Sequence, residues 1–148
     1  MGLKITMDPI VANLEAVGRD ATDAAYNELV KGAKEMRDLA REMAPVDHGD
    51  LEAAIVESHS KGDKAVAVGI DLNAVDEHGT QVAEYGLMQH EGLAPYGSGF
   101  YHLGPKSTAK DAGRGIVGGK FIERAVDALK KRVLQSAVFA VKRIYRAS

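Results

Sequence analysis

One run of this chain alternates its side chains with a period of two, between two long stretches whose apolar residues recur at helical spacing. No all-helical or all-strand fold accommodates both patterns. Val66, Val68, Ile70 and Leu72 fall on one face of Lys64 to Leu72, with Ala65, Ala67 and Gly69 on the other, as in a strand with one buried face. Before it, Val11, Leu14, Val17, Ala21, Ala25, Leu29, Met36, Ala40 and Met43 follow helical spacing almost to Pro45, as one long helix or two joined near Gly18. After it, Phe121, Ile122, Ala125, Leu129, Val133, Ala137, Ala140, Val141 and Ile144 form the stripe of a second long helix over 120–147. The expected fold class is α+β. A small antiparallel sheet packs against a long N-terminal helix and a long C-terminal helix that cover one of its faces.

Local signals set the boundaries. Leu3 to Met7 alternates as a short strand, and Asp8-Pro9 offers an N-cap with proline in the first helical position. Pro45 ends the first helix, because the residue before a proline is pushed out of the α region. Pro45 to Leu51 reads as a compact turn in which Gly49 takes a positive φ and Leu51 enters the core. A strand is expected from about Ala53 to Ser60, then a hairpin turn at Lys61-Gly62-Asp63. Asn73 to Thr80 is polar loop. Val82 to His90 fits a strand or a short helix, and a helix or irregular segment is favoured.

Residues 92–119 are too rich in glycine, proline and serine for one regular element. Pro95 and Pro105 remove backbone donors, and Gly104 supplies a turn. This loop nevertheless holds Tyr96, Phe100 and Tyr101, from a chain with only 5 Tyr, 3 Phe and no Trp. A long loop carrying scarce aromatics marks a contact surface.

The 148 residues suffice for one domain with a hydrophobic core. No apolar run can cross a bilayer and no signal-peptide pattern opens the chain, so no membrane association is expected. The absence of cysteine excludes disulfides and thiolate chemistry. Charge is unevenly placed. Residues 44–119 hold five basic and eleven acidic side chains, whereas 120–148 hold eight basic and two acidic. Such a chain can associate head to tail, the basic end of one copy meeting the acidic middle of the next. Lys130, Arg132, Lys142 and Arg143 are the expected contact cations. Solvated faces are the plain alternative.

The motifs argue against catalysis. Gly113-Arg114-Gly115-Ile116-Val117-Gly118 has dinucleotide-fingerprint spacing but no buried strand before it and no βαβ unit around it. Gly119-Lys120 fails as a phosphate loop, since Arg114 replaces the first glycine and Phe121 the magnesium-binding hydroxyl. His90-Glu91 with His102, and Asp47, His48 and Asp50, are the two clusters that could serve a metal or acid–base chemistry. Adjacent His and Glu diverge on either a helix or a strand, and no third ligand stands at fixed spacing. No catalytic residue, metal or cofactor is expected. His90 and Glu91 read instead as structural residues of the loop. The basic last helix lacks interleaved aromatics for base stacking. A small enzyme or metal-binding protein using His90, Glu91 and His102 is the alternative.

Three signatures together resemble the neck proteins of tailed bacteriophages, also described as tail-completion, head–tail joining or minor capsid proteins. The first is a helix running into Ala44-Pro45-Val46-Asp47-His48-Gly49-Asp50-Leu51, similar to that family's A-P-x-x-x-G-x-L turn. The second is Tyr85 followed by His90-Glu91. The third is Leu103-Gly104-Pro105-Lys106-Ser107, with Val117 to Ala125 leading into the last helix. Asp50 before Leu51 and the Tyr/Gly-rich insertion around Pro95 to Phe100 depart from the pattern. The resemblance implies that residues 1–148 form a single head–tail joining domain, a homo-oligomer and by resemblance a hexameric ring. It would sit in the virion after synthesis in the host cytoplasm. Connector or stopper and tail-terminator or tail proteins would be its neighbours, and genome DNA would pass through the lumen without sequence-specific binding. The aromatic loop would face a neighbouring ring.

Overall fold

The computed structural model describes residues 4–6, 18–91 and 103–147. Helix α1, Arg19–Met43, buries Ala21, Ala25, Leu29, Ala33, Met36 and Ala40 along one stripe. It stops where Ala44 turns extended, at φ −70° and ψ 140°, ahead of Pro45. Its N-terminal extension toward Pro9 lies outside the described residues.

The strand expected from Ala53 begins two residues later. Asp50–Ala54 forms a short helical turn, α2, and β2 is Ile55–Ser60. Asp50 and Glu52 place carboxylates in the first turn, where the helix dipole favours them, and Ala53 and Ala54 are good helix formers. β2 pairs antiparallel with β3, Ala65–Ile70, from Ile55 opposite Ile70 to Ser60 opposite Ala65. The strand β1, Lys4–Thr6, pairs with the other side of β3, so the order is β1-β3-β2 and β3 is central. Val66, Val68 and Ile70 enter the core, whereas Leu72 lies past the strand and is 47% exposed.

Val82–His90 is a helix, α3. Within the stretch expected to be loop, Pro105–Asp111 forms a further helix, α4, with Pro105 in its first turn. The last helix, α5, spans Phe121–Ala147 and buries Phe121, Ile122, Ala125, Val133, Ala137 and Ala140. Ile144, expected on that stripe, is 37% exposed.

α1 packs on β2 and β3, while α5 packs along α1 and meets the sheet chiefly at β1. Polar contacts fix α1 to the edge strand, with Arg37 Nη1 2.6 Å from Glu57 Oε2 and Arg41 Nε donating to the Ile55 carbonyl at 2.9 Å. At the hairpin tip, Lys64 Nζ lies 2.7 Å from Asp23 Oδ1 and 5.4 Å from the centroid of the Tyr26 ring.

At Gly32 the α1–α5 seam is tight against Val133. A Cβ there would overlap both γ-methyls of Val133, whose β-branched side chain has little freedom to rotate within a helix. Gly32→Ala should therefore destabilise the fold by about 1–3 kcal/mol through overpacking. On helix propensity alone the same change would stabilise by roughly 1 kcal/mol. Adding Val133→Ala should recover much of the loss, and urea unfolding of the single and double variants measures both signs.

Candidate functional site

The quoted motifs, distant in sequence, meet at the C-terminal end of α1. The last carbonyls of a helix lack intrahelical donors. Lys110, on α4, reaches the Arg41 carbonyl at 2.6 Å, the Ala44 carbonyl at 2.7 Å and Glu52 Oε1 at 2.8 Å. The Gly118 N–H donates to the Met43 carbonyl at 2.9 Å. Ser107, fully buried, accepts from the Val46 N–H at 2.8 Å and donates to the Val46 carbonyl at 3.0 Å. Pro45 is buried beneath this clamp. Gly104 is the N-cap of α4, ahead of Pro105.

The glycine-rich run after α4 is an anion nest filled from within. The Gly115, Ile116 and Val117 N–H groups converge on the Asp111 carboxylate at 2.7, 2.6 and 2.8 Å. Hydrogen bonds from Val117 and Gly115, with that from Ile116, hold this carboxyl below its ordinary range against the opposing effect of burial. Arg124 secures the outer side of the loop through the Ile116 and Gly119 carbonyls, both at 2.9 Å.

His90 is 1% exposed, with its ring edge-on to Phe121 at a centroid distance of 4.9 Å. Its Nδ1 lies 3.2 Å from Glu91 Oε1, which assigns the proton to Nδ1. Nε2 is buried without a hydrogen-bond partner among the described residues. Glu91 also pairs with Lys120 Nζ at 2.6 Å, and the Lys120 N–H donates to the His90 carbonyl. The pair thus ties the end of α3 to the start of α5. His102, its proposed companion, lies outside the described residues.

Asp47, His48 and Asp50 line a groove of about 500 Å³ between the Pro45–Leu51 turn and α3. The carboxylates of Asp76, Glu77 and Glu84 also border it, and Pro45, Leu51, Tyr85 and Met88 add apolar surface. Burial pushes the Tyr85 hydroxyl up, reinforced by Asp50 and Asp76. His48 Nε2 and Asp47 Oδ2 are 3.4 Å apart and both side chains are exposed. No group of three or more His, Asp or Glu able to hold a metal occurs among the described residues. The groove is a negatively charged concavity suited to recognising a cation-bearing surface.

The expected contact cations divide. Lys130 pairs with Asp127 at 2.7 Å on its own helix, and Arg132 pairs with Glu35 of α1. Lys142 and Arg143 are exposed. Beside them Val138 and Phe139 are 46% and 63% exposed, and sequence reading missed both. Their signal was available, since each is apolar yet falls off the Val133–Ala137–Ala140 stripe. Tyr96, Phe100 and Tyr101 lie outside the described residues.

Gly49 has φ 91° and ψ −3°, and nothing lies within 4 Å of a Cβ built on it. Gly49→Val should therefore cost about 1–3 kcal/mol through backbone strain alone, with Asn costing less. An unchanged melting temperature would refute this account of the turn.

His90 generates a pH prediction. Burial holds its imidazole below the ordinary value, against the opposing pull of Glu91. Its contribution is fully present above the unfolded value of about 6.5 and is lost as pH falls from there through the folded value. Denaturant titrations at neutral and mildly acidic pH should show a steeper loss for the native chain than for His90→Gln.

Compared with known protein families, residues 8–85 match the family model HK97-gp10_like, "Bacteriophage HK97-gp10, putative tail-component". The matched range covers more than half of the chain, from before α1 to Tyr85 in α3. No curated protein and no solved structure matches.

Proposed function

We propose that this chain, which belongs to the HK97-gp10-like family of bacteriophage tail components, forms a ring of identical subunits at the head–tail junction. Family membership makes it a structural component of the virion that works against other virion proteins. The finer reading is a neck or tail-completion ring, hexameric by resemblance, with residues 1–148 as one head–tail joining domain. A connector or stopper would lie on one side and a tail-terminator or tail protein on the other. Genome DNA would pass through the lumen.

One observation supports this reading above the others. The positive charge of 120–148 sits on α5, whose outer surface faces away from the seam, while the 44–119 segment supplies a negatively charged groove elsewhere. Unlike faces on one subunit favour head-to-tail contacts, which close into rings when the rotation per subunit fits. A chain of net charge −2 suits a conduit that does not grip its cargo. Tyr96, Phe100 and Tyr101 would supply the contact to the neighbouring ring.

The purified protein should form rings visible by negative-stain electron microscopy at low salt, or form them on addition of its particle neighbours. Antibody against it should label the head–tail junction of intact particles. A chain that stays monomeric at every concentration and salt, and is missing from particles, would end this reading.

A further inference from the structure

We infer that the outer face of α5 around Val138, Phe139, Lys142 and Arg143 seats in the acidic groove of a second copy of this chain. The inference rests on the ring reading and names the surfaces that would make its contact.

Phe139 is 63% exposed and Val138 46% exposed on a helix that buries Phe121, Ile122, Ala125, Val133, Ala137 and Ala140. Lys131, Leu134, Gln135 and Lys142 surround them in a shallow hollow. No acidic residue follows Asp127, so this half of the helix presents one sign of charge. Lys142 and Arg143 make no ion pair among the described residues.

The groove matches on both counts. Asp50 and Glu84 line it and make no ion pair among the described residues. Asp76 Oδ1 is taken by the His78 and Thr80 N–H groups, and Leu51, Tyr85 and Met88 add apolar lining. Complementary charge on a rim around an apolar centre is the composition of a specific protein contact.

Placement makes the occupant another copy. α1 and α5 run antiparallel, with Gly32 against Val133 and Gly118 bonded to Met43. The groove lies at the Pro45 end of α1, whereas Phe139 to Arg143 lie toward the Gly18 end. A 25-residue helix is about 37 Å long. The α5 face therefore lies too far along α1 to reach its own groove, and in the proposed ring the contact is heterologous.

The test uses charge reversal at exposed or half-exposed positions. One full-length variant carries Asp50→Lys and Glu84→Lys, and the other carries Lys142→Glu and Arg143→Glu. Circular dichroism and melting temperature check that each is folded, and mass photometry at low salt follows assembly. Each variant alone should assemble at least about tenfold more weakly than the native chain. An equimolar mixture should recover assembly, because the acidic groove of one copy faces the basic helix of the other and the remaining contacts are complementary in reverse. Phe139→Asp should weaken assembly without lowering the melting temperature.

Normal rings from both reversed variants would overturn the inference and leave the ring reading standing. Failure of the folded variants to recover on mixing would also overturn it. Variants that self-assemble normally but fail only in particles would assign the groove to another virion protein. A native chain that never assembles would remove the ring reading as well.

Discussion

The approach of α5 to α1 at Gly32 and Val133 sets the spacing on which the rest of the molecule is built. Ala25, Leu29, Ala33 and Ala40 of α1, with Ala125 and Ala137 of α5, are fully buried. Small side chains let two helix axes approach toward the short end of the usual 8–10 Å range. Each buried methyl contributes only about 0.8 kcal/mol, so density of contact matters more than the area of any one residue. α1 is then gripped on two sides, by the sheet and by α5. The C-terminal half of α5 nevertheless keeps Val138 and Phe139 exposed.

The same geometry explains why the C-terminal end of α1 collects its partners from far along the chain. Pro45 as a stop signal was legible locally. The donors that satisfy the carbonyls it leaves were not, because Lys110 lies 66 residues from Ala44 and Ser107 lies 61 from Val46. Sequence patterns specify which element a residue joins, but pairing of polar groups across elements is a tertiary outcome. The helix at 105–111 was missed for a different reason. Gly104-Pro105 carries the start signal, yet the glycine and proline around it dominated the reading. At Asp50–Ala54, two early carboxylates and two alanines decided for a helical turn over the expected extension of β2.

The glycine-rich run shows how a motif can be right about local physics and silent about a ligand. Its amides do converge on an anion, as the spacing of Gly113, Gly115 and Gly118 suggests. That anion is the carboxylate of Asp111, four to six residues earlier in the chain. A nest filled by its own side chain stabilises the turn into α5 and leaves the same amides no room for phosphate. His90 belongs to a packed corner with Phe121, Glu91 and Lys120.

Charge was legible as blocks along the chain, and the fold converts blocks into faces. Of the four cations expected at a contact, Lys130 and Arg132 are held by Asp127 and Glu35. Lys142 and Arg143 remain beside the exposed Phe139, at the far end of the seam from the groove. In the proposed ring, the rotation from one subunit to the next would be fixed by the angle between that α5 face and that groove. A heterologous contact closes only when this rotation divides a full turn with no rise along the axis, and otherwise runs on as an open chain. The Gly32–Val133 seam holds the angle, since α5 carries one half of the contact and the α1 end carries the other. Tight packing of small residues, which adds little stability per residue, is therefore what would give such a subunit a single curvature.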